Sequence, residues 1–283
     1  MSVEGIVNKV WKANVVPDPR PVTTMLLAEE RQLLYYLANQ YAQDRGCIVD
    51  AGCFLGGSTT ALALGVADRQ KRSGLPLRTK IHSYDLFEAE EWTIGNLLPA
   101  SFRPKESFRQ QFDANIRDVA SLIEVHAGDI TATPWSGEPI EILFVDCAKH
   151  WTVCDFITQQ FFRSLIPGHS ILIQQDYIWE AWNAWIHITM EFYADYFRML
   201  TYTPANSVVF LYERPIPSLV PNLIGSMTAD TKIELMRRAR ARFHSPQLEY
   251  LERSHRQYVT GSAWSNGVDA EGHRRIAENY PTT

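Results

Sequence analysis

Short apolar stretches alternate with amphipathic ones along most of this chain. Residues 26–43 place leucines at helical spacing, which predicts a helix with one apolar face. The run Cys47–Gly52 is strand-sized, apolar and closed by a glycine. Runs of this kind predict strands buried on both faces, as in a parallel sheet covered by helices. The predicted strands are 47–52, 80–86, 123–129, 140–146 and 170–174, and the predicted helices are 26–43, from Ser58 onward, 105–120, the stretch ending near Leu165, and 179–195.

Two further strands are predicted near the end of this pattern, at about 197–203 and 207–213. The residues between them are too few for a helical crossover, so the two strands are expected to form an antiparallel hairpin. The predicted fold class is therefore α/β, a Rossmann-like sheet of seven mostly parallel strands with a C-terminal antiparallel hairpin and helices on both faces. Residues 26–214 form the predicted main domain, preceded by an N-terminal extension (1–25) and followed by a helical C-terminal extension (215–283).

Composition narrows the class of protein. The 283 residues are 46% hydrophobic and 21% charged, which is typical of a globular chain and excludes a fibrous or disordered one. The net charge of -5 argues against a dedicated nucleic-acid binder, so a small-molecule partner is expected. The sequence shows no signal peptide, no membrane-length apolar run and no Cys-x-x-Cys pair, which together predict a cytoplasmic protein with free thiols. The basic run 237–242 predicts a solvated or oligomer-facing helix, with RNA binding as the less favoured alternative, so any homo-oligomer would form through the C-terminal extension.

Acidic residues and glycines stand where the predicted strands end. Asp50 opens a turn that runs through glycines to Ser58, and Asp85 ends the second strand. Gly128 and Asp129 end the third strand, and Asp146 ends the fourth. Because the carboxyl ends of parallel strands meet at one edge of the sheet, these residues are expected to lie together at a ligand site.

An adenosine-containing ligand accounts for these acids. A carboxylate such as Asp85 can accept hydrogen bonds from both ribose hydroxyls, and Asp129 can accept one from an adenine amino group. The turn before Ser58 precedes a helix, whose amino end favours a carboxylate or phosphate. Asp50 has two equally weighted interpretations, a contact with the cofactor or a hydrogen bond that holds the turn.

With these motifs, the sequence resembles the class I S-adenosylmethionine-dependent methyltransferases over residues 26–214. Asp50-x-Gly-x-x-x-Gly-Gly-Ser58 and Phe144-Val-Asp-Cys-Ala-Lys149 resemble the small-molecule O-methyltransferases of the catechol, caffeoyl-CoA and macrocin types. The resemblance implies that S-adenosylmethionine is the cofactor and that a hydroxyl of a sugar, phenol or natural-product intermediate is methylated. It also implies that Gly52 and Ser58 hold the methionine moiety, Asp85 the ribose and Asp129 the adenine, with Asp146 beside the reacting methyl group. Phe54, Gly57 and Gly128 complete the expected cofactor-binding set.

One departure from those families concerns a metal. They usually place Asp-Asp or Asp-Asn at the end of the fifth strand, where these side chains hold magnesium or calcium together with the fourth-strand aspartate. Here Gln174 and Gln175 occupy those positions, and Asp176 follows one residue later. Hard divalent cations prefer carboxylates, so the sequence argues against a requirement for a divalent metal without ruling it out.

Two neighbouring residues are candidates for the general base. Lys149 stands at the position of the base in the catechol-type family, whereas His150 titrates near neutrality without any environmental shift. A nearby Asp146 would raise the pKa of a lysine and would orient a histidine, so His150 is slightly preferred. Trp179, Trp182 and Trp185 follow the fifth strand at helical spacing and are expected to be mainly core, with Trp179 near the substrate.

Two rival functions use the same sheet. A nicotinamide-dependent oxidoreductase would need a G-x-G-x-x-G turn, and the turn from Asp50 to Ser58 has different spacing. A non-catalytic binding protein on this fold would have no need of Asp85, Asp129 or a base candidate, all of which are present.

Overall fold

The computed structural model describes residues 2–13, 22–74, 76–179, 183–204, 206–218 and 224–260. Its strands are β1 (Cys47–Ala51), β2 (Ile81–Asp85), β3 (Ile123–Ala127), β4 (Ile140–Val145), β5 (Ile171–Gln174), β6 (Phe197–Tyr202) and β7 (Val208–Tyr212). Its α-helices are α1 (Val3–Val7), α2 (Ala28–Tyr36), α3 (Gly57–Ser73), α4 (Arg109–Ile116), α5 (Trp151–Gln160), α6 (Ala184–Phe192), α7 (Ala229–Ala241) and α8 (Gln247–Thr260). Short 3₁₀ turns connect several of them.

All seven strands form one sheet in the order β3-β2-β1-β4-β5-β7-β6. The first five strands are parallel, and Ile48 in β1 pairs with Ile81 on one side and with Ile142 on the other. The hairpin β6–β7 adds to β5 in antiparallel fashion, with Leu172 opposite Phe210. The predicted α/β fold, with a mostly parallel seven-stranded sheet and a C-terminal antiparallel hairpin, is therefore confirmed.

Each face of the sheet carries its own hydrophobic core. Consecutive residues of a strand point to opposite faces, so Ile48 packs toward α2 and α3 while Val49 packs toward α5 and α6. Both side chains are fully buried, as are Ile142 and Leu143 in the neighbouring strand. Burial on both sides explains why these strands are continuous apolar runs instead of alternating apolar and polar ones.

On the first face, α2 and α3 approach each other at Gly65. A Cβ at this position would lie 2.6 Å from the carbonyl oxygen of Tyr35 and 2.8 Å from the Cβ of Ala38, so only glycine permits this spacing. Residues Leu37–Tyr41 continue α2 as a π-helical turn. The close contact at Gly65 positions α3, and with it the turn between β1 and α3, against the sheet.

The C-terminal helices α7 and α8 pack on the second face. Met236 and Leu251 are completely buried in the core that also contains the inner sides of α5 and α6. In the basic run, Arg242 forms an ion pair with the buried Glu191 of α6, whereas Arg237 and Arg238 lie exposed beside Glu234. Residues 261–283 of the predicted extension lie outside the described residues. Among the helices that are described, none is long and apolar enough to cross a membrane.

The predicted helix over 179–195 is wrong at its start. Trp179 lies in a turn with 45% of its surface exposed, and α6 begins only after Asn183. The Asn183 side-chain amide donates hydrogen bonds to the carbonyl groups of Asp176 and Trp179, which holds this turn closed and delays the helix. Trp185 is core as expected, and Trp182 lies outside the described residues.

The contact at Gly65 yields a stability prediction. We expect Gly65→Ala to lower the free energy of unfolding by about 1–3 kcal/mol, because the overlap with α2 outweighs the helix propensity that alanine adds. Urea unfolding followed by circular dichroism measures the change. The control is Lys71→Ala, an exposed position on the same helix, which should alter stability by no more than about 0.5 kcal/mol. Equal stability of Gly65→Ala and the control would contradict the close approach of α2 and α3.

Candidate active site

The turn between β1 and α3 lies at the carboxyl edge of the sheet and presents bare backbone there. Gly52 has a φ of +97°, and a Cβ on it would lie 3.0 Å from the carbonyl carbon of Asp146. Gly56, with a φ of +91°, directly precedes α3. Both positions favour glycine because other residues are strained in this conformation. The turn can therefore bring its backbone, and the amino end of a long helix, close to an anionic ligand group.

The Asp85 carboxylate ties this turn to the next strand. It accepts a hydrogen bond from the backbone N–H of Phe54 at 2.8 Å and another from the N–H of Phe87 at 2.7 Å. Phe54 and Phe87 both have positive φ angles, of +45° and +54°, so the hydrogen bonds hold two strained residues in place. A carboxylate has about four lone-pair sites, so two remain for a ligand diol. Burial raises the pKa of Asp85, although its two backbone hydrogen bonds oppose that change.

The buried Asp50 side chain stabilises the turn through hydrogen bonds. Its Oδ2 accepts hydrogen bonds from the hydroxyls of Ser58, at 2.9 Å, and Thr59, at 2.5 Å. Of the two interpretations of Asp50, these contacts match the one in which it holds the turn. The Ser58 hydroxyl is thereby directed inward, which leaves the backbone of Ser58 as its means of meeting a ligand. At Gly57, a side chain would overlap Thr24, so this glycine provides room for a neighbouring segment.

Gly128 and Asp129 lie beside Asp85 at the end of β3. The N–H of Gly128, whose φ is +115°, donates to the carbonyl oxygen of Asp85 at 2.9 Å. The Asp129 carboxylate accepts hydrogen bonds from the N–H and the hydroxyl of Thr131 through Oδ1, at 2.9 and 2.8 Å. Asp129 is otherwise exposed, and these bonds fix its orientation at the surface of the edge.

A cation lies between two acids at the centre of the same edge. The Lys149 ammonium is 3.3 Å from Oδ1 of Asp146 and also forms an ion pair with Oδ2 of Asp176. Asp146 follows β4, whereas Asp176 follows β5 in a left-handed conformation with a φ of +60°. All three side chains are partly accessible, with exposed fractions of 32% for Lys149, 19% for Asp146 and 23% for Asp176. The cluster can therefore be reached by a substrate.

The acids decide the charge of Lys149. Burial by itself lowers the pKa of this amine, but the Asp146 and Asp176 carboxylates outweigh burial and raise the pKa above its ordinary value. Lys149 is therefore an ammonium ion at neutral pH. In that state it can donate hydrogen bonds to a substrate oxygen but cannot accept a proton.

The same cluster does not fit a divalent metal. A magnesium or calcium ion between Asp146 and Asp176 would have to displace the Lys149 ammonium, which occupies the space between the two carboxylates. Gln174 and Gln175, which replace the expected carboxylates, are buried. The Gln174 amide donates toward the sulfur of Met190 at 3.6 Å instead of joining the acids.

His150 is the other candidate base, and it stands one residue beyond Lys149. It precedes α5 in an extended conformation and is only partly buried. Within the part of the chain that the structure describes, its imidazole does not cap the helix. His150 is thus linked to the charged cluster by its position directly after Lys149 in the chain.

The pattern along the sequence missed Thr59 and Asn183, both of which support the site through hydrogen bonds. Thr59 shares Asp50 with Ser58, and Asn183 supports the turn that contains Asp176. A hydroxyl residue directly after Ser58 was a usable signal, because an aspartate before a turn commonly accepts from such groups. Asn183 is seven residues from Asp176 and gave no local signal.

No protein-family model matches this chain, and no curated protein sequence does either. Solved structures that resemble it include cofactor-bound Rv0187 from MTB, 15% identical with a TM-score of 0.47, where the match covers 75% of this chain and 90% of that chain. Another is CalS11, a TDP-rhamnose 3'-O-methyltransferase of calicheamicin biosynthesis, 16% identical with a TM-score of 0.46 over 75% of this chain and 93% of that one. An rRNA methylase from Streptococcus thermophilus is 14% identical with a TM-score of 0.40, over 68% and 99%. At identities and TM-scores this low, function has to be argued from the residues of this chain.

Asp50 yields a prediction on pH. Burial raises the pKa of this carboxyl to about 7 in the folded chain, against about 3.9 when unfolded. Between these values the folded state keeps a proton that the unfolded state loses, so the free energy of unfolding falls as pH rises, by at most about 1.4 kcal/mol per unit. We expect Asp50→Asn, which stays neutral, to show a shallower fall between pH 5 and 7 in urea unfolding experiments.

The control for this experiment is Asp113→Asn, because Asp113 is an exposed carboxylate on α4. Its stability profile should run parallel to that of the unaltered protein. Parallel profiles for all three proteins would show that Asp50 ionises normally in the folded state.

Proposed function

We propose that this protein is an S-adenosylmethionine-dependent methyltransferase that methylates a hydroxyl of a small molecule. The observation that carries the proposal is the arrangement around Asp85. This acid ends β2, and its carboxylate accepts a hydrogen bond from the N–H of Phe54 in the glycine turn. Its backbone carbonyl oxygen accepts another from the N–H of Gly128, which follows the next strand. Asp85 thereby joins, through its carboxylate and its backbone carbonyl, the three elements that a nucleoside with a charged tail would contact.

In the proposed complex, different residues of this edge bind different parts of the cofactor. The backbone of Gly52 and the amino end of α3 suit the methionine carboxylate, since that end of a helix attracts anions. The open lone pairs of Asp85 suit the ribose hydroxyls, and Asp129 suits the adenine amino group. A Cβ at Gly128 would have no atom within 4 Å, so there is open space at this position beside the proposed adenine.

When bound, S-adenosylmethionine supplies a methyl group on a positively charged sulfur. The residues of this chain then have to hold the acceptor oxygen, stabilise the charge that develops on it and remove its proton. The Lys149 ammonium can donate to that oxygen, because it is held between Asp146 and Asp176 in its charged form. A cation beside a hydroxyl favours loss of its proton.

His150 is the proposed acceptor of that proton. Lys149 already carries its proton, so it cannot act as the base without first losing both ion pairs. His150 follows it directly, and a neutral imidazole has a nitrogen lone pair that can accept a proton. Asp146 helps by orienting the cation, and the alignment of acceptor and cofactor contributes most of the rate.

The residues of the turn and of the charged cluster argue against the two rival functions, a nicotinamide-dependent oxidoreductase and a non-catalytic binding protein. The turn after β1 keeps Asp50 and Ser58 in mutual contact and has Phe54 where a dinucleotide turn that starts at Gly52 needs its second glycine, which disfavours a nicotinamide cofactor. A non-catalytic platform would gain nothing from a charged cluster that strains the backbone at Asp176. We further propose that the protein acts in the cytoplasm on a small molecule, without nucleic acid or membrane, and that any homo-oligomer forms through its C-terminal extension.

The first test concerns the cofactor. We expect Asp85→Ala to weaken binding of S-adenosylhomocysteine about tenfold or more, because a hydrogen bond to a charged group contributes about 1.5–3 kcal/mol. Titration calorimetry measures the affinity, and Asp113→Ala, an exposed aspartate on α4, is the control. Unchanged affinity in Asp85→Ala would remove Asp85 from the site, and preferential binding of NAD by the unaltered protein would favour the oxidoreductase.

The second test separates the roles of Lys149 and His150, using an acceptor found by screening phenols and sugar nucleotides. We expect His150→Ala to lower kcat about 100-fold or more while S-adenosylhomocysteine affinity stays within about twofold. Lys149→Arg should retain far more turnover than Lys149→Gln, because arginine keeps the positive charge but cannot act as a base. If Lys149→Arg is as inactive as Lys149→Gln and His150→Ala is active, lysine is the base.

A further inference from the structure

Three metal-ligand side chains converge on the sheet face that carries α5, at its β3 edge. Nδ1 of His82 lies 3.0 Å from Nε2 of His126. The Glu124 carboxylate completes the triangle, with Oε2 3.9 Å from Nδ1 of His82 and Oε1 3.7 Å from Nε2 of His126. None of these side chains takes part in the site proposed for methyl transfer.

The strand register brings these residues together. His82 of β2 pairs with Glu124 of β3, and His126 stands two residues further along β3, so all three side chains project from the same face. Because β3 is the edge strand, Glu124 is 59% exposed while the side chain of His82 is only 8% exposed. The cluster thus has a buried side and an open side through which an ion can enter.

Further contacts orient both imidazoles. Nε2 of His82 lies 2.9 Å from the Glu138 carboxylate, so this nitrogen carries the proton and leaves Nδ1 with a lone pair directed at the cluster. A carboxylate behind a metal-binding histidine is the usual arrangement in protein metal sites. The Tyr84 ring stacks on His126 with 4.3 Å between centroids, and the Trp135 indole meets His82 edge-on at 5.2 Å.

We propose that His82, Glu124 and His126 bind a divalent transition-metal ion, of which zinc fits best. Zinc takes imidazole and carboxylate ligands at about 2.0–2.2 Å in a tetrahedron, which places ligand atoms about 3.3–3.6 Å apart. The two imidazole nitrogens lie 3.0 Å apart, and one ligand atom from each of the three residues lies within 4.8 Å of the other two, so side-chain rotations can bring the three atoms into that range. Two histidines, one carboxylate and an open fourth position form a ligand set that zinc accepts.

A second set of ligand atoms lies nearby, but it is the poorer choice. Cys47 comes close to His82 and Glu138, which also form a group of suitable size. Cys47 is 3% exposed, and a buried thiol with no cation beside it resists the deprotonation that metal binding requires. Glu138 is already used in orienting His82. The set that includes Glu124 has an accessible anionic ligand and needs no thiolate.

Bound metal would link the edge strand to the interior of the sheet. His126 stands two residues before Gly128, so an ion held at His126 would also restrain the turn that ends in Asp129. The inference does not depend on methyl transfer, because its test measures metal binding alone. It places the ion at a sheet edge, on residues that the proposed methyl-transfer site does not use.

The experiment uses the full-length protein, stripped with a chelator and then titrated with Zn²⁺ by calorimetry. We expect one site, which His126→Ala weakens at least about 100-fold, Glu124→Gln at least about tenfold, and Glu138→Gln about tenfold, because Glu138 orients His82 without binding the ion. The matched control is His244→Ala, which removes an exposed histidine elsewhere and should leave Zn²⁺ affinity unchanged. Co²⁺ in the unaltered protein should give the intense visible absorption of a tetrahedral site, and Glu138→Gln should shift that absorption.

Thermal unfolding provides the folding check. Zn²⁺ should raise the Tm of the unaltered protein and of His244→Ala, since an ion that binds only the folded state stabilises it. It should raise the Tm of Glu124→Gln much less, and this exposed substitution leaves the fold intact even if His126→Ala does not fold. Absence of Zn²⁺ binding, or equal affinity in Glu124→Gln and His244→Ala, would overturn the proposal.

Discussion

The ion pairs of Lys149 with Asp146 and Asp176 determine the electrostatics of the carboxyl edge. A parallel sheet gathers its strand ends on one side, and in this chain those ends carry acids, so like charges are crowded together. One ammonium ion pairs with both acids, which follow β4 and β5, and offsets one of their two negative charges. Burial raises the pKa of Asp146 and Lys149 opposes that change, so without the ammonium ion the pKa of Asp146 would rise further and the two carboxylates would repel each other.

The other buried acids of this edge are accommodated in different ways. Asp85 accepts two backbone N–H groups, whereas Asp50 accepts two hydroxyls and has its pKa raised to about 7 by burial. Glu30 from α2 accepts the Ser207 hydroxyl at 2.6 Å, and burial raises its pKa as well. The edge therefore combines one ion-paired cluster, one carboxylate held by amides and two carboxyls whose pKa burial raises, and Asp50, with a pKa of about 7, can change its charge near neutrality.

Strained backbone accompanies the proposed site. Phe54, Phe87 and Asp176 each follow the end of a strand and each have φ between +45° and +60°. Such conformations cost about 1–3 kcal/mol at non-glycine residues and persist where surrounding contacts hold them. The hydrogen bonds to Asp85 and the ion pair of Asp176 supply those contacts. The histidine cluster on β2 and β3 is built differently, since its residues lie within regular strands and only their register brings them together.

Apolar runs and helical periodicity were enough to predict the seven strands, the hairpin and most helices, because burial of a strand on both faces leaves a local signature in the sequence. The same pattern predicted that Asp85, Gly128 and Asp146 would share an edge, since parallel strands end on one side of a sheet. Local patterns could not show that Lys149 bridges two acids, that Asn183 delays α6, or that His82 meets His126 and Glu124. Those features depend on side-chain direction and strand register between segments far apart in the chain, and only the packed tertiary structure decides these.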